Sequence, residues 1–376
     1  MKVEIRAAVL RESGASTPYA ESQPIQIETL TLDPPGEGEV LIKIKAASLC
    51  HSDLSVIDGS RPRPLPMALG HEAAGIVKKV GENVTEFAEG DHVVCIFVPT
   101  CGNCLPCKEG RPALCENGAK SNTAGTLLNG GIRLNSESGK VNHHVGVSAF
   151  AEHAVVSEHS LVKVQKSIPF ETIALFGCAV ITGVGAVANN AKIELGSTVG
   201  VVGLGGVGLN ALLGAIASGA SEVIAIDIND QKLELAKQLG ATSVFNSSEE
   251  GAIEKIKEQT KGGLQYVFET AGVVPALEFA YQITRRGGTT VTSGLPHPDH
   301  HLSIQSVTLA AEEKTLKGSY LGSCVPTRDI PLYIDLFEKG QLPVDKLGFD
   351  FISLDEINEG FDRLLKGEHA RIIIKM

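Results

Sequence analysis

The chain has 376 residues, 43% hydrophobic and 20% charged, which is enough apolar material for two or three domains and too much for global disorder. Its net charge of −11 repels phosphate backbones, and no run of residues reaches the roughly 18 apolar positions of a spanning helix, so neither nucleic acid nor membrane is an expected partner. The N-terminus, MKVEIRAAVLRE, lacks an apolar signal core and points to the cytoplasm, where eight cysteines are expected as thiols or metal ligands rather than disulfides.

Residues 1–45 alternate apolar and polar. Ile25–Glu28 and Val40–Lys45 read as strands on either side of the turn at 33–38, Asp-Pro-Pro-Gly-Glu-Gly. Gly75–Gly81 and Asp91–Ile96 continue the pattern, giving a β-rich region with no helix-period segment. From Pro99 to about Gly146 the chain is rich in Gly, Asn and Ser and has little periodicity. So long a loop inside a compact domain needs a substitute for a core, and a metal is one. Phe150–Val164 alternates again. Residues 170–192 are apolar and rich in Ala and Gly, as in a buried helix.

From Ser197 strands and helices take turns. Thr198–Val202, Glu222–Ile226, Ser243–Phe245, Tyr266–Glu269 and Thr289–Thr292 read as strands, Gly206–Ser218 and Gln231–Leu239 as helices. Short β-branched runs separated by helices predict a doubly wound parallel sheet. Beyond about residue 321 the pattern is mixed and closes with the strand Arg371–Ile374. There is no repeat at a period of 20–50 residues. The fold class is α/β: a β-rich domain of residues 1–179 and 321–376, with a parallel-sheet domain at 180–320.

The sharpest motif is Cys101-Gly-Asn-Cys104-Leu-Pro-Cys107, followed by Cys115. Four thiols so close suit a closed tetrahedral zinc site that stabilises and leaves no position for chemistry. An iron–sulfur cluster uses the same ligands and stays open as an alternative. Cys95 and Cys324 read as small buried hydrophobes. Cys50, His71 and Cys178 supply two thiols and an imidazole. Singly each is more often a packing residue, but together they make an open zinc site, with Asp53 near enough to orient an imidazole and Glu72 directly after His71.

Gly203-Leu-Gly205-Gly206-Val-Gly208 follows a predicted strand, opens a predicted helix, and precedes Asp227 at the end of the next strand. That context suits a dinucleotide: the glycines admit the pyrophosphate, the helix N-terminus attracts its charge, and Asp227 meets ribose hydroxyls and repels a 2′-phosphate. NAD is therefore expected over NADP.

These features resemble the zinc-dependent medium-chain alcohol dehydrogenases of the extended-loop, animal and plant type. The likeness rests on Cys50-His51-Ser52-Asp53, Gly70-His71-Glu72-Ala-Ala-Gly75, the Cys101–Cys115 cluster, Gly177-Cys178, and Gly203–Gly208 with Asp227. The resemblance implies a GroES-like catalytic domain and a Rossmann domain. It implies two zinc ions per chain, one catalytic and one structural, and NAD. The implied reaction is reversible hydride transfer between a primary alcohol, aromatic or medium-chain ones included, and NAD, giving the aldehyde. Cys50, His71 and Cys178 would bind the catalytic zinc, as a Cys₂His set does in alcohol dehydrogenases. Ser52 would bond the substrate oxygen and start proton release, with Asp53 and Glu72 behind the ligands. His51 and Arg371 fall where the family contacts pyrophosphate, Lys232 where it contacts the adenosine ribose, and Thr182 near the nicotinamide.

Phe97 and Phe150 fall at positions that line the family's pocket. Arg61 and Lys120 lie near channel positions that are commonly apolar, either as solvated charges or as selectors of an anionic substrate. Ser55 departs from the family, many of whose members carry there the histidine that ends the proton path. Residues 121–143 resemble the extended loop of dimeric members, so a homodimer is expected. Within the superfamily a glutathione-adduct (S-hydroxymethylglutathione) dehydrogenase is an alternative, though no clear glutathione signature is present. Another is a polyol or secondary-alcohol dehydrogenase, but those often carry Glu in place of Cys178. A metal-free reductase using NADPH would lack both cysteine sets.

Overall fold

A computed structural model describes residues 2–367 and 369–376. By contact the chain falls into two units. One runs to Cys178 and takes up Val325–Pro331 and Gly348–Met376; the other comprises Ala179–Cys324 and Leu332–Leu347.

The first unit begins with ten strands: β1 Val3–Leu10, β2 Ile25–Leu32, β3 Glu39–Ser48, β4 Met67–Ala68, β5 Glu72–Val80, β6 His92–Cys95, β7 Leu134–Ser136, β8 Gly139–His143, β9 His153–Ser157 and β10 Leu161–Val164. A closed barrel runs β1-β2-β7-β8-β4. β3 explains why the sequence there is almost continuously apolar. Its side chains alternate between two cores, Val40, Ile42 and Ile44 entering one and Leu41 the other.

The second unit holds β11 Thr198–Val202, β12 Glu222–Asp227, β13 Ser243–Asn246, β14 Leu264–Glu269, β15 Thr284–Thr292 and β16 Thr315–Gly318. They form one sheet in the order β13-β12-β11-β14-β15-β16, every pair parallel. Ile224, Ile226, Val267 and Ile283 are among the residues of its core. The chain then returns to the first unit with β17 Phe349–Ile352 and β18 Arg371–Lys375. These complete a seven-stranded sheet, β10-β6-β5-β3-β18-β17, with β9 also paired to β3.

Two expectations need correction. Residues 99–146 are not structureless: they contain a helix at Glu116–Ala124 and the β7–β8 hairpin that closes the barrel. The helix, ENGAKSNTA, has no apolar stripe, so periodicity could not reveal it. The Cys115 sulfur caps it by accepting the Gly118 N–H. The second correction concerns the apolar run. Phe170–Ala191 forms 22 continuous helical residues, long and apolar enough to cross a membrane, yet 89% of its most apolar window is buried inside the protein. Interspersed Thr, Gly and Asn break the apolar run without shortening the helix, which is the buried helix expected over residues 170–192.

Candidate metal centre and cofactor loop

Three pieces of the first unit deliver the metal donors. Cys50 is the residue before the short helix His51–Ile57. His71 immediately precedes β5, whose first residue is Glu72. Cys178 lies in a π-helical turn, Phe176–Val180, inside the apolar helix. Such widened turns are frequent at functional sites. Gly177 lets this turn approach β6, because an added Cβ would collide with the Cys95 carbonyl oxygen.

The donor atoms of Cys50, His71, Glu72 and Cys178 lie within 4.8 Å of one another. Cys178 Sγ is 3.6 Å from His71 Nε2. Tetrahedral zinc, with bonds of about 2.3 Å to sulfur and about 2.1 Å to nitrogen, sets such a pair about 3.6 Å apart. The donor set therefore fits zinc in both chemistry and spacing. His71 Nδ1 is 3.0 Å from Asp53 Oδ1. An ionised carboxylate can only accept, so the proton sits on Nδ1 and the Nε2 lone pair is left for a metal.

A hydrogen bond from Cys178, aided by the charge of His71, pulls the Cys50 thiol well below its usual range against the opposing effect of burial. The same bond, with burial, holds Cys178 well above it. Two thiolates this close repel each other, and a cation is what lets both ionise. Burial would raise Asp53 and lower His71, but their mutual attraction wins, holding Asp53 down and His71 well up. Behind the site Arg371 Nη1 meets Glu72 Oε2 at 3.2 Å, both residues buried. Arg371, expected from the sequence at a pyrophosphate position, also pairs with this carboxylate.

The second cluster is equally compact. The sulfurs of Cys101, Cys104, Cys107 and Cys115 lie within 4.8 Å of one another, and those of Cys104 and Cys115 are 3.9 Å apart. A tetrahedral zinc sets thiolates about 3.8 Å apart. Backbone N–H groups of Cys101 and Gly118 donate to Cys115 Sγ, and that of Cys104 to Cys101 Sγ. Despite desolvation, backbone donors bring Cys101 down to about 6, while burial and its neighbours push Cys107 up to about 12. Four sulfurs this tight have the spacing of ligands to a single ion; a multi-iron cluster would spread them.

In the second unit Gly203, with φ +89°, turns the chain out of β11, and an added Cβ on Gly208 would strike its carbonyl oxygen. Gly205 faces open space and Gly206 opens the helix Gly206–Ala217. The Asp227 carboxylate ties the loop down, accepting the Leu204 N–H at 2.6 Å and the Asn229 N–H at 3.0 Å. Thr182 is buried in this unit, and Lys232 is half-buried on the helix Asp230–Gln238.

Other expected residues divide. The Phe97 ring stands edge-on to His71, 5.3 Å between centroids, so it borders the metal centre. Phe150 is a core residue instead, fully buried and packed against Phe361. Ser52 and Arg61 are half-buried, while His51 and Lys120 are exposed. Ser55 spends its hydroxyl on the His51 carbonyl oxygen, 2.9 Å away. Sequence reasoning missed His144, whose Nδ1 also lies 3.0 Å from Asp53 Oδ1. It sits in a stretch without periodicity, and nothing in its spacing separates it from His143.

A polarising metal centre on a barrel unit and a nucleotide loop on a parallel sheet are what a metal-assisted dehydrogenase requires. The comparisons make the class specific. Residues 36–166 match the model of the alcohol dehydrogenase GroES-like domain, and residues 206–339 that of the zinc-binding dehydrogenases. The chain is 39% identical over 367 residues to an alcohol dehydrogenase class-3 of Drosophila melanogaster, covering 96% of this chain and 97% of that one. It is 40% identical over 387 residues to an NDMA-dependent alcohol dehydrogenase of Amycolatopsis methanolica, covering 99% of each. Among solved structures, benzyl alcohol dehydrogenase from Acinetobacter calcoaceticus superposes with a TM-score of 0.92 at 37% identity, over 100% of this chain and 99% of that one. The chain belongs to the zinc-dependent medium-chain alcohol dehydrogenase family. It is an enzyme, an oxidoreductase with a GroES-like domain and a Rossmann-type domain.

Proposed function

We propose that the protein oxidises a primary alcohol to the aldehyde with NAD, and runs the reverse, using a catalytic zinc on Cys50, His71 and Cys178 and a structural zinc on Cys101, Cys104, Cys107 and Cys115. The observation that carries this reading is the convergence of the two sulfurs with His71 Nε2 at zinc-ligand spacing. When bound, zinc supplies a Lewis acid that makes an alcohol hydroxyl more acidic, and NAD accepts the hydride. The chain's own residues do the rest. Ser52 Oγ takes the substrate proton. Asp53 holds His71 in the metal-binding tautomer, and Arg371 pairs with Glu72 beside the ligands. Ser55 is committed to the His51 carbonyl, so the proton leaves Ser52 through water.

The glycine loop and Asp227 support NAD as the cofactor. Asp227 gives one acceptor interaction from each oxygen to the backbone, which leaves lone pairs for ribose hydroxyls. In this reading Lys232 adds a ribose contact, Thr182 a nicotinamide contact, and His51 and Arg371 pyrophosphate contacts. Phe97 beside His71 makes the reacting end apolar, which favours an aromatic or medium-chain alcohol, as the name of the benzyl alcohol relative also suggests. Six cysteines placed as metal ligands fit a reducing compartment, the cytosol.

A homodimer is the assembly proposed. β16 is the outer strand of the second unit's sheet, with three of its four residues exposed. Val307 and Leu295 nearby in sequence are 65% and 50% exposed. An open strand edge with apolar flanks is a template for another chain.

The test combines zinc counting with steady-state rates for benzyl alcohol, a medium-chain primary alcohol, a secondary alcohol and S-hydroxymethylglutathione, each with NAD and NADP. Two zincs per chain and fastest turnover of a primary alcohol with NAD are expected. One zinc, or preference for NADP, would overturn the reading. Light scattering settles assembly against a chain mass of 39.5 kDa.

A further inference from the structure

Asp53 carries more than His71. One oxygen, Oδ1, has His71 Nδ1 and His144 Nδ1 each at 3.0 Å and accepts the Gly70 N–H at 3.2 Å. The other, Oδ2, is buried without a hydrogen-bond partner. All three side chains are buried, and the two imidazole rings stand perpendicular, 5.5 Å between centroids. The His144 contact is made at hydrogen-bond distance, off the alignment of a strong hydrogen bond. A carboxylate held by one ring alone can turn about that contact, and a second, perpendicular ring on the same oxygen restricts the movement.

His144 is put in place by a strained turn. Val145, Gly146 and Ser148 all have left-handed backbones, with φ of +42°, +72° and +56°. For a β-branched valine this is costly and persists only where the surroundings enforce it. They do: the His144 N–H donates to Ser148 Oγ at 2.9 Å, and that hydroxyl donates to the Ala68 carbonyl at 2.8 Å. The Val147 N–H closes the turn on the His144 carbonyl at 3.0 Å. The anchor at Ala68 lies just before Gly70 and His71, so the segment that carries the metal ligand also seats His144.

We infer that His144 is a positioning residue for the catalytic metal: by bearing on Asp53 Oδ1 it fixes the carboxylate that orients His71. The inference rests on the assignment of Cys50, His71 and Cys178 as zinc ligands. Carboxylates that orient metal-bound histidines are typically worth about 10–100-fold in metal affinity. A residue that fixes such a carboxylate acts on the same quantity.

The experiment compares the zinc-loaded wild type with His144→Leu and His144→Gln. It reads zinc loss to excess chelator, the visible spectrum after cobalt replacement of the catalytic zinc, and Tm. His144→Leu is expected to lose one of the two zincs about 10–100-fold faster and to alter the cobalt spectrum, with the four-cysteine zinc retained. His144→Gln keeps an N–H donor and is expected to recover most of the difference. Wild-type zinc retention and spectrum in His144→Leu would overturn the inference. So would a loss that His144→Gln does not repair, or failure of both variants to fold, which would assign the residue to packing. Finding one zinc in the wild type would bring down the metal assignment itself, and is seen by counting before any variant is made.

Discussion

Cys178 Sγ and His71 Nε2 come within 3.6 Å although 107 residues separate them. The approach depends on two local departures from regular structure. The helix that carries Cys178 opens into a π turn there, and Gly177 lets it press against the Cys95 carbonyl. A regular helix with any side chain at 177 would stand off β6 and carry the sulfur away from the imidazole.

The two proposed zinc sites should fail differently. Cys50→Ala is expected to reduce zinc from two ions to one and bring turnover to background, while the fold survives on its apolar cores. Cys104→Ala removes the support of a polar segment with few apolar contacts. A loss of about 3 kcal/mol there would lower Tm by roughly 6–12 °C. Metal analysis, activity and thermal melts check both; the reverse pattern would exchange the roles of the sites.

Much of this was legible in the sequence, for specific reasons. Gly203–Gly208 could be read because a strand, a helix start and Asp227 framed it. The four cysteines could be read because their spacing has few other uses. The helix Glu116–Ala124 could not, because its start is capped by the Cys115 sulfur and it has no apolar face. Phe150 was placed by analogy in the pocket, yet it fills the core against Phe361, a partner far along the chain that local pattern does not encode. His144 and the Arg371–Glu72 pair were invisible for a related reason. Their meaning lies in partners 91 and 299 residues away, brought together only by the fold.

Asp227 holds the glycine loop and is the proposed ribose contact, so Asp227→Gly should act on binding more than on chemistry. Loss of a charge-assisted contact worth about 1.5–3 kcal/mol would raise KM for NAD roughly 10–100-fold. The ratio of kcat/KM for NADP to that for NAD should rise, because the carboxylate that repels a 2′-phosphate is gone. Zinc content should stay at two. An unchanged cofactor ratio would reject the ribose role.

Arg371 balances a buried negative cluster. Burial disfavours its charge, but Glu72, Cys50 and Cys178 together keep the guanidinium firmly protonated. Arg371→Met would leave the Glu72 carboxylate buried without its cation, a change expected to cost about 3–5 kcal/mol. The midpoint of urea unfolding should fall accordingly in the zinc-loaded protein. Adding Glu72→Gln should recover part of the loss, since the uncompensated charge is then removed. No coupling between the two substitutions would mean that the pair at 3.2 Å contributes little.

His143 gives the fold a dependence on pH that is separate from the metal centre. It ends β8, is almost fully buried, and its Nε2 accepts the Arg133 N–H at 3.1 Å. Burial, aided by the charges of Arg133 and Lys140, pushes its imidazole down to about 3. The unfolded chain binds the proton near the ordinary value of about 6.5. The folded state therefore binds fewer protons between these limits, and its stability is complete above about 6.5 and declines as pH falls toward 3, by up to roughly 1.4 kcal/mol per pH unit. His92, His144 and His153 are also held down, with burial the largest cause, and slope the same way, so the comparison must isolate one residue. His143→Gln keeps an acceptor for the Arg133 N–H but has no proton to bind. Urea midpoints between pH 7.5 and 5 should fall less steeply in this variant, by about one proton's worth of slope. Parallel curves for the two proteins would show that His143 is not held neutral by the barrel.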